Sequence, residues 1–104
     1  MDYFDIAQVA SDKAYTEFLK QPAMSAGIYR LPAGGTDPQQ PHSEDELYYV
    51  VSGRGMILVA GESRPVSAGS MVYVPRGVEH RFHTITEDLT ILVVFSPAEY
   101  SLKA

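Results

Sequence analysis

From Met24 onward the chain is a succession of short apolar or β-branched runs: Met24 to Leu31, Leu47 to Val51, Met56 to Ala60, Met71 to Val74, Val78 to Thr84 and Leu89 to Phe95. Gly, Pro, Ser and Asp punctuate them. Short strands joined by close turns, with no helix between them, predict an antiparallel sandwich or barrel. One earlier segment has helical spacing. Ala14, Tyr15, Phe18 and Leu19 recur at that period, with Ser11 or Asp12 as a cap and Pro22 as a stop, so a short N-terminal helix packed across the sheet is expected. Gly53-Arg54-Gly55 reads as a hairpin turn between two strands. The fold class is all-β with one short helix.

A chain of 104 residues implies one domain, 1–104, with a modest core. Its 45% hydrophobic and 20% charged content are those of a globular domain. The absence of cysteine removes disulfides and thiolate chemistry. Eight Lys plus Arg against 13 Asp plus Glu give a net charge of -5 with no basic cluster, which argues against nucleic-acid binding. The start lacks the basic and apolar regions of a secretory signal, and no apolar stretch approaches membrane-spanning length, so a cytoplasmic location and no membrane partner are expected.

Two imidazoles and a carboxylate, His42, Glu46 and His80, are the donors with metal-binding character. Taken alone, His42 with Glu44, Asp45 and Glu46 reads as a solvated acidic turn, and His80 as a surface histidine beside Arg81. Parity argues otherwise. Gln40, His42 and Glu46 share it, and Glu46 lies on the face of Tyr48 and Val50, where a bare carboxylate is costly to bury unless paired or metal-bound. Pro75 and Gly77 form a tight turn that presents His80 and Phe82 on one face, leaving His83 out of phase as an exposed or interface residue. By the same parity Tyr48, Met71, Tyr73 and Phe82 are expected near the cavity. Leu47, Tyr49 and Val51 form a second apolar face, which predicts a homodimer.

Two stretches fit together: Gly34, Gln40, Pro41, His42, Glu46 and Gly53, spanning about 34–53, and Gly69, Pro75, Gly77 and His80, within about 69–84. Their joint spacing resembles the two signature motifs of the cupins, small double-sheet β-barrels (double-stranded β-helices, or jelly rolls) that commonly hold a metal inside. Two motifs in register are far more specific than one. This chain has Gln40 where the family usually has the first histidine, and Thr84 where it usually has Asn. The resemblance implies His42, Glu46 and His80 as ligands of a divalent transition metal, Fe, Zn, Mn or Ni, with Gln40 or a water in the remaining position. It also implies a small-molecule ligand in the barrel and points to a dimer. Two functions are consistent with it: a metal-dependent enzyme of dioxygenase or isomerase/lyase type, or a non-catalytic module that binds or senses a small molecule, with the metal as an anchor or absent.

Overall fold

The structure, a computed structural model, describes residues 1–9, 12–39 and 41–102. A 3-10 turn at Ile6–Gln8 precedes six strands: β1 (Tyr15–Gln21), β2 (Met24–Leu31), β3 (Asp45–Val59), β4 (Glu62–Ser67), β5 (Met71–Val74) and β6 (His80–Ser96). All pairings are antiparallel. The sheet order is β1-β2-β6-β3-β4, with β5 on β3. Strands β3 and β6, 15 and 17 residues long, bend and serve two layers. Asp45 to Val50 and Ile91 to Ser96 pair with each other and extend outward through β2 and β1 on one side and β5 on the other. Met56 to Val59 and His80 to His83 pair in the second layer, completed by β4. This is an all-β double-stranded β-helix.

The bend has a local cause. Register shifts interrupt the β3–β6 ladder between Val50 and Met56, and such irregularities sharpen strand curvature. At Gly53, φ is +98° and an added Cβ would lie 2.1 Å from the Asp88 carbonyl oxygen. Only glycine fits that approach. The Gly53-Arg54-Gly55 stretch, expected as a hairpin turn, is therefore the middle of one bent strand.

The expected helix over Ala14 to Leu19 is strand β1, and the only helical turn among the described residues is the short one at Ile6–Gln8. A bulge between Glu17 and Leu19 explains the misleading period. It re-phases the alternation, so that Tyr15, Thr16, Phe18 and Leu19 are all half-buried while Glu17 is exposed. Seven residues make a marginal isolated helix, whereas pairing with β2 satisfies the backbone at once. The cap candidate Ser11 lies outside the described residues.

Between the layers, Tyr29, Leu31, Tyr48, Val50, Ile57, Phe82, Ile85, Leu89, Ile91, Val93 and Phe95 form the main core. Full burial of each such side chain contributes about 1.5–3 kcal/mol. On the outer face of the larger layer, Leu47, Tyr49, Met71 and Tyr73 are 44%, 40%, 71% and 58% exposed. No helix among the described residues is long and apolar enough to cross a membrane.

Candidate metal centre

Local turns bring the motif residues together. His42 sits in the loop before β3, where its carbonyl oxygen accepts the Gly77 N–H at 2.7 Å. In the same turn the Arg76 N–H donates to Asp45 Oδ1 at 3.0 Å. The loop after β5 is thus tied to the loop before β3, joining the two motifs. Glu46 points inward from β3, and His80 opens β6 opposite Val59.

The three side chains converge. One donor atom from each of His42, Glu46 and His80 lies within 4.8 Å of the other two. Glu46 Oε1 is 3.2 Å from His80 Nε2 and 3.5 Å from His42 Nδ1. Glu46 and His80 are each 2% exposed. Glu46 Oε1 faces both imidazoles, yet both Glu46 oxygens are buried without a hydrogen-bond partner, as is His42 Nδ1. Burying a carboxylate in that condition costs several kcal/mol unless a cation or proton compensates.

His80 is held from behind. Its Nδ1–H donates to the Val78 carbonyl at 2.9 Å, which leaves Nε2 directed at Glu46. Burial alone would pull the His80 pKa down, but the contact with Glu46, the Val78 carbonyl and the charges of Glu46 and Asp37 outweigh it and hold the imidazole above its ordinary value. Gln39 Oε1 lies 3.3 Å from His80 Nε2. Its orientation follows from Asp37: that carboxylate accepts the Gln39 Nε2–H at 2.9 Å, and since it can only accept, the amide turns its oxygen toward the cluster. Asp37 is itself buried and also accepts from the Tyr29 hydroxyl and the Phe82 N–H. The Tyr48 hydroxyl donates to Gln39 Oε1 at 3.0 Å; burial, then the Glu46 charge, keeps this phenol protonated well above its usual range.

A cavity of about 420 Å³ adjoins His42 and Glu46, lined by Tyr15, Tyr29, Gln39, Phe95, Glu99 and Tyr100 among others. The Tyr15 hydroxyl is buried without a partner, and burial, then the charges of Glu99, Glu17 and Glu46, raises its pKa. Strand β2 makes room for it: an added Cβ at Gly27 would lie 2.3 Å from the Tyr15 ring.

The structure sorts the residues expected at the site. His42, Glu46 and His80 converge, and Gln40 lies outside the described residues. Tyr48 and Phe82 are buried in the barrel with their rings 5.0 Å apart, beneath the cluster rather than along the cavity wall. Met71 and Tyr73, expected beside the cavity, point outward. In the β5 register Val72 and Val74 oppose the inward Tyr48 and Glu46, while Met71 and Tyr73 oppose the outward Tyr49 and Leu47. His83 faces away from His80, with Ser63 Oγ at 3.0 Å. The cavity residues Tyr15, Tyr29, Gln39, Glu99 and Tyr100 are signature residues of neither motif. Of these only Tyr15 had a signal, the glycine inside β2 that marks a close approach.

A family model described as a cupin domain matches residues 27–95. The chain belongs to the cupin-domain family. This cupin is 54% identical over 99 residues, 95% of its own length and 94% of the other's, to an uncharacterised protein of Streptomyces coelicolor. Among solved structures, the Cnp3 cupin domain of Schizosaccharomyces pombe matches with a TM-score of 0.82 at 17% identity, covering 91% of this chain and 73% of that one. KdgF from Halomonas sp. matches with a TM-score of 0.79 at 20% identity, covering 93% and 94%. At such identities the likeness is one of fold. Tyr15, Glu99 and Tyr100 lie outside the family-matched segment of this cupin.

Proposed function

We propose that this cupin is a metal-dependent enzyme that holds a divalent transition metal with His42, Glu46 and His80 and a small organic substrate in the adjoining cavity. The observation that carries the reading is Glu46: a buried carboxylate without a hydrogen-bond donor on either oxygen, faced by one nitrogen from each of two histidines. Two imidazoles and a carboxylate suit Fe, Zn, Mn or Ni and leave positions open. Such an ion supplies Lewis acidity or, as iron(II), dioxygen chemistry. The protein's own residues do the rest. His80 and Gln39 form the fixed side of the centre, and the Tyr15 hydroxyl, unpartnered in the cavity wall, orients an oxygen-bearing substrate. Tyr48 and Phe82 act from beneath, by holding Gln39 and packing the floor.

Elemental analysis of protein purified without a chelating step tests the proposal. Near-stoichiometric iron directs the search to dioxygenase chemistry, with oxygen uptake dependent on substrate; stoichiometric zinc, manganese or nickel directs it to isomerase or lyase chemistry. Absence of any metal, together with failure to take one up, overturns the reading.

The outer face bearing Leu47, Tyr49, Met71 and Tyr73 supports a homodimer, since an apolar patch of this kind gains by burial against a second copy. Sedimentation at micromolar concentration is expected to give the dimer mass; a monomer mass there rules the dimer out.

A further inference from the structure

Beyond β6 the chain doubles back over the cavity, and a buried acid holds it there. Glu44, 1% exposed, accepts the N–H of Tyr100 at 2.5 Å and of Leu102 at 2.9 Å, and also the Ser43 hydroxyl. The Glu99 N–H donates to the buried Ser25 hydroxyl oxygen at 2.8 Å. Tyr100 has φ +64°, so the backbone curls and directs its amides at the one carboxylate. The turn is thereby fixed at Glu99, Tyr100 and Leu102. Its consequence is the placement of the Glu99 carboxylate 3.2 Å from His42 Nε2, with the Glu99 and His42 side chains only 13% and 9% exposed.

Both His42 nitrogens face carboxylates, Nε2 toward Glu99 at 3.2 Å and Nδ1 toward Glu46 at 3.5 Å; with a cation on Glu46 the Nδ1 side requires a lone pair, and Glu99 is the acceptor placed to take the ring proton on Nε2. Nδ1 is the nitrogen that is buried without a partner and directed at Glu46. His80 shows the same logic with its nitrogens exchanged: the Val78 carbonyl takes Nδ1–H and Nε2 is directed at Glu46. Each ring thus has one nitrogen engaged by an outer acceptor and the other turned to the same carboxylate, although His80 Nε2 also meets Gln39 Oε1 at 3.3 Å whereas His42 Nδ1 has no hydrogen-bond partner. From this we infer that Glu99 is a positioning residue of the centre, fixing His42 so that Nδ1 faces the cation, and that the C-terminal turn gripped by Glu44 is part of the site. The inference rests on the cation-binding reading of His42, Glu46 and His80.

Outer partners of this kind are worth about 10–100-fold in metal affinity. The test is titration of the full-length protein with cobalt(II), whose visible absorption reports coordination, with circular dichroism to check folding. Glu99→Ala is expected to weaken cobalt binding by about tenfold or more. Glu99→Gln, whose amide oxygen still accepts from Nε2–H, is expected to restore binding to within about threefold of the parent and keep the parent spectrum. Glu44→Gln should weaken binding by loosening the turn, and adding it to Glu99→Ala should weaken binding no further, because both act through one contact. Parent-like affinity in Glu99→Ala overturns the inference. So does a Glu99→Gln as weak as Glu99→Ala, which would make the charge or direct ligation the operative feature. A parent protein that takes up no cobalt overturns the cation reading itself, whereas cobalt uptake that ignores Glu99 overturns this inference alone.

Discussion

His80 and His42 flank one carboxylate, yet they are held by different kinds of structure. His80 lies on a sheet strand, 2% exposed, with its rear nitrogen on the carbonyl two residues before it and its surroundings fixed by Asp37, Gln39 and Tyr48. His42 lies on a loop. Its ring rests on Phe95 at 4.8 Å and Tyr100 at 5.9 Å, and its outer nitrogen meets Glu99 from the far end of the chain. The floor of the centre is therefore built by the barrel, and the mouth by segments that converge from β1, the loop before β3 and the C-terminal turn. A preorganised floor fixes donors at little entropic cost, while a mouth assembled from termini can vary in shape without disturbing the core. Variants on the two sides should accordingly separate stability from binding.

The largest expected effect is on the floor, at Asp37. Truncation by Asp37→Ala leaves the Phe82 N–H and the Tyr29 hydroxyl without their buried acceptor, and each orphaned donor costs about 1–3 kcal/mol. A loss of about 2–5 kcal/mol in urea unfolding of the metal-free protein is expected. A loss below about 1 kcal/mol would show that the floor is not rigidified by this network.

Next come the histidines. His80→Ala should weaken cobalt(II) binding by more than the 10–100-fold typical of an outer partner, since it removes a proposed ligand, and should also destabilise the metal-free fold by opening a cavity in the packed floor. His42→Ala should weaken cobalt binding comparably while costing less metal-free stability than His80→Ala, because its ring is held by a loop and the C-terminal turn, 9% exposed against 1% for His80. Equal destabilisation by the two variants would erase the distinction between floor and mouth.

Much of the floor was legible in the sequence, and most of the mouth was not. His42, Glu46 and His80 stand out because motif spacing is local and strand parity carries Glu46 inward. The bounds of β2 and β5 coincide with apolar runs. Strand β4 was missed because Glu62 to Ser67 is polar, contains Pro65 and is largely exposed, as an edge strand can be. Met71 and Tyr73 were misplaced because Met-Val-Tyr-Val offers apolar residues to both faces, and only pairing with β3 decides between them. Glu99 reaches His42 across more than half the chain, and no local pattern announces such a contact. The bulge in β1 both imitated a helix and hid the strand that carries Tyr15.

Gly27→Ala tests the mouth from the opposite wall. The new Cβ would lie 2.3 Å from the Tyr15 ring, so the phenol must swing away, with a cost of about 1–3 kcal/mol for overpacking. No proposed donor moves. Cobalt affinity should stay within about twofold of the parent while urea unfolding registers the strain. A large fall in cobalt affinity would mean that Tyr15 shapes the metal centre and not the cavity alone.

The smallest effect is expected at Tyr48→Phe, and it asks whether the floor is redundant. The substitution keeps the ring, its packing against Phe82 and its full burial, and removes one hydroxyl. Gln39 Oε1 then loses the donor at 3.0 Å, but Gln39 Nε2 still donates to Asp37, so the amide oxygen remains directed at His80. A single buried hydrogen bond removed with its shape preserved costs about 0.5–1.5 kcal/mol. Urea unfolding should register that loss, and cobalt affinity should change by less than about fivefold, because the orientation of Gln39 is set from the other end. If Tyr48→Phe instead abolished cobalt binding as His80→Ala is expected to, the phenol would be acting at the centre itself, and the division of the site into a floor held by Asp37 and a mouth held by Glu44 would have to be redrawn around Tyr48.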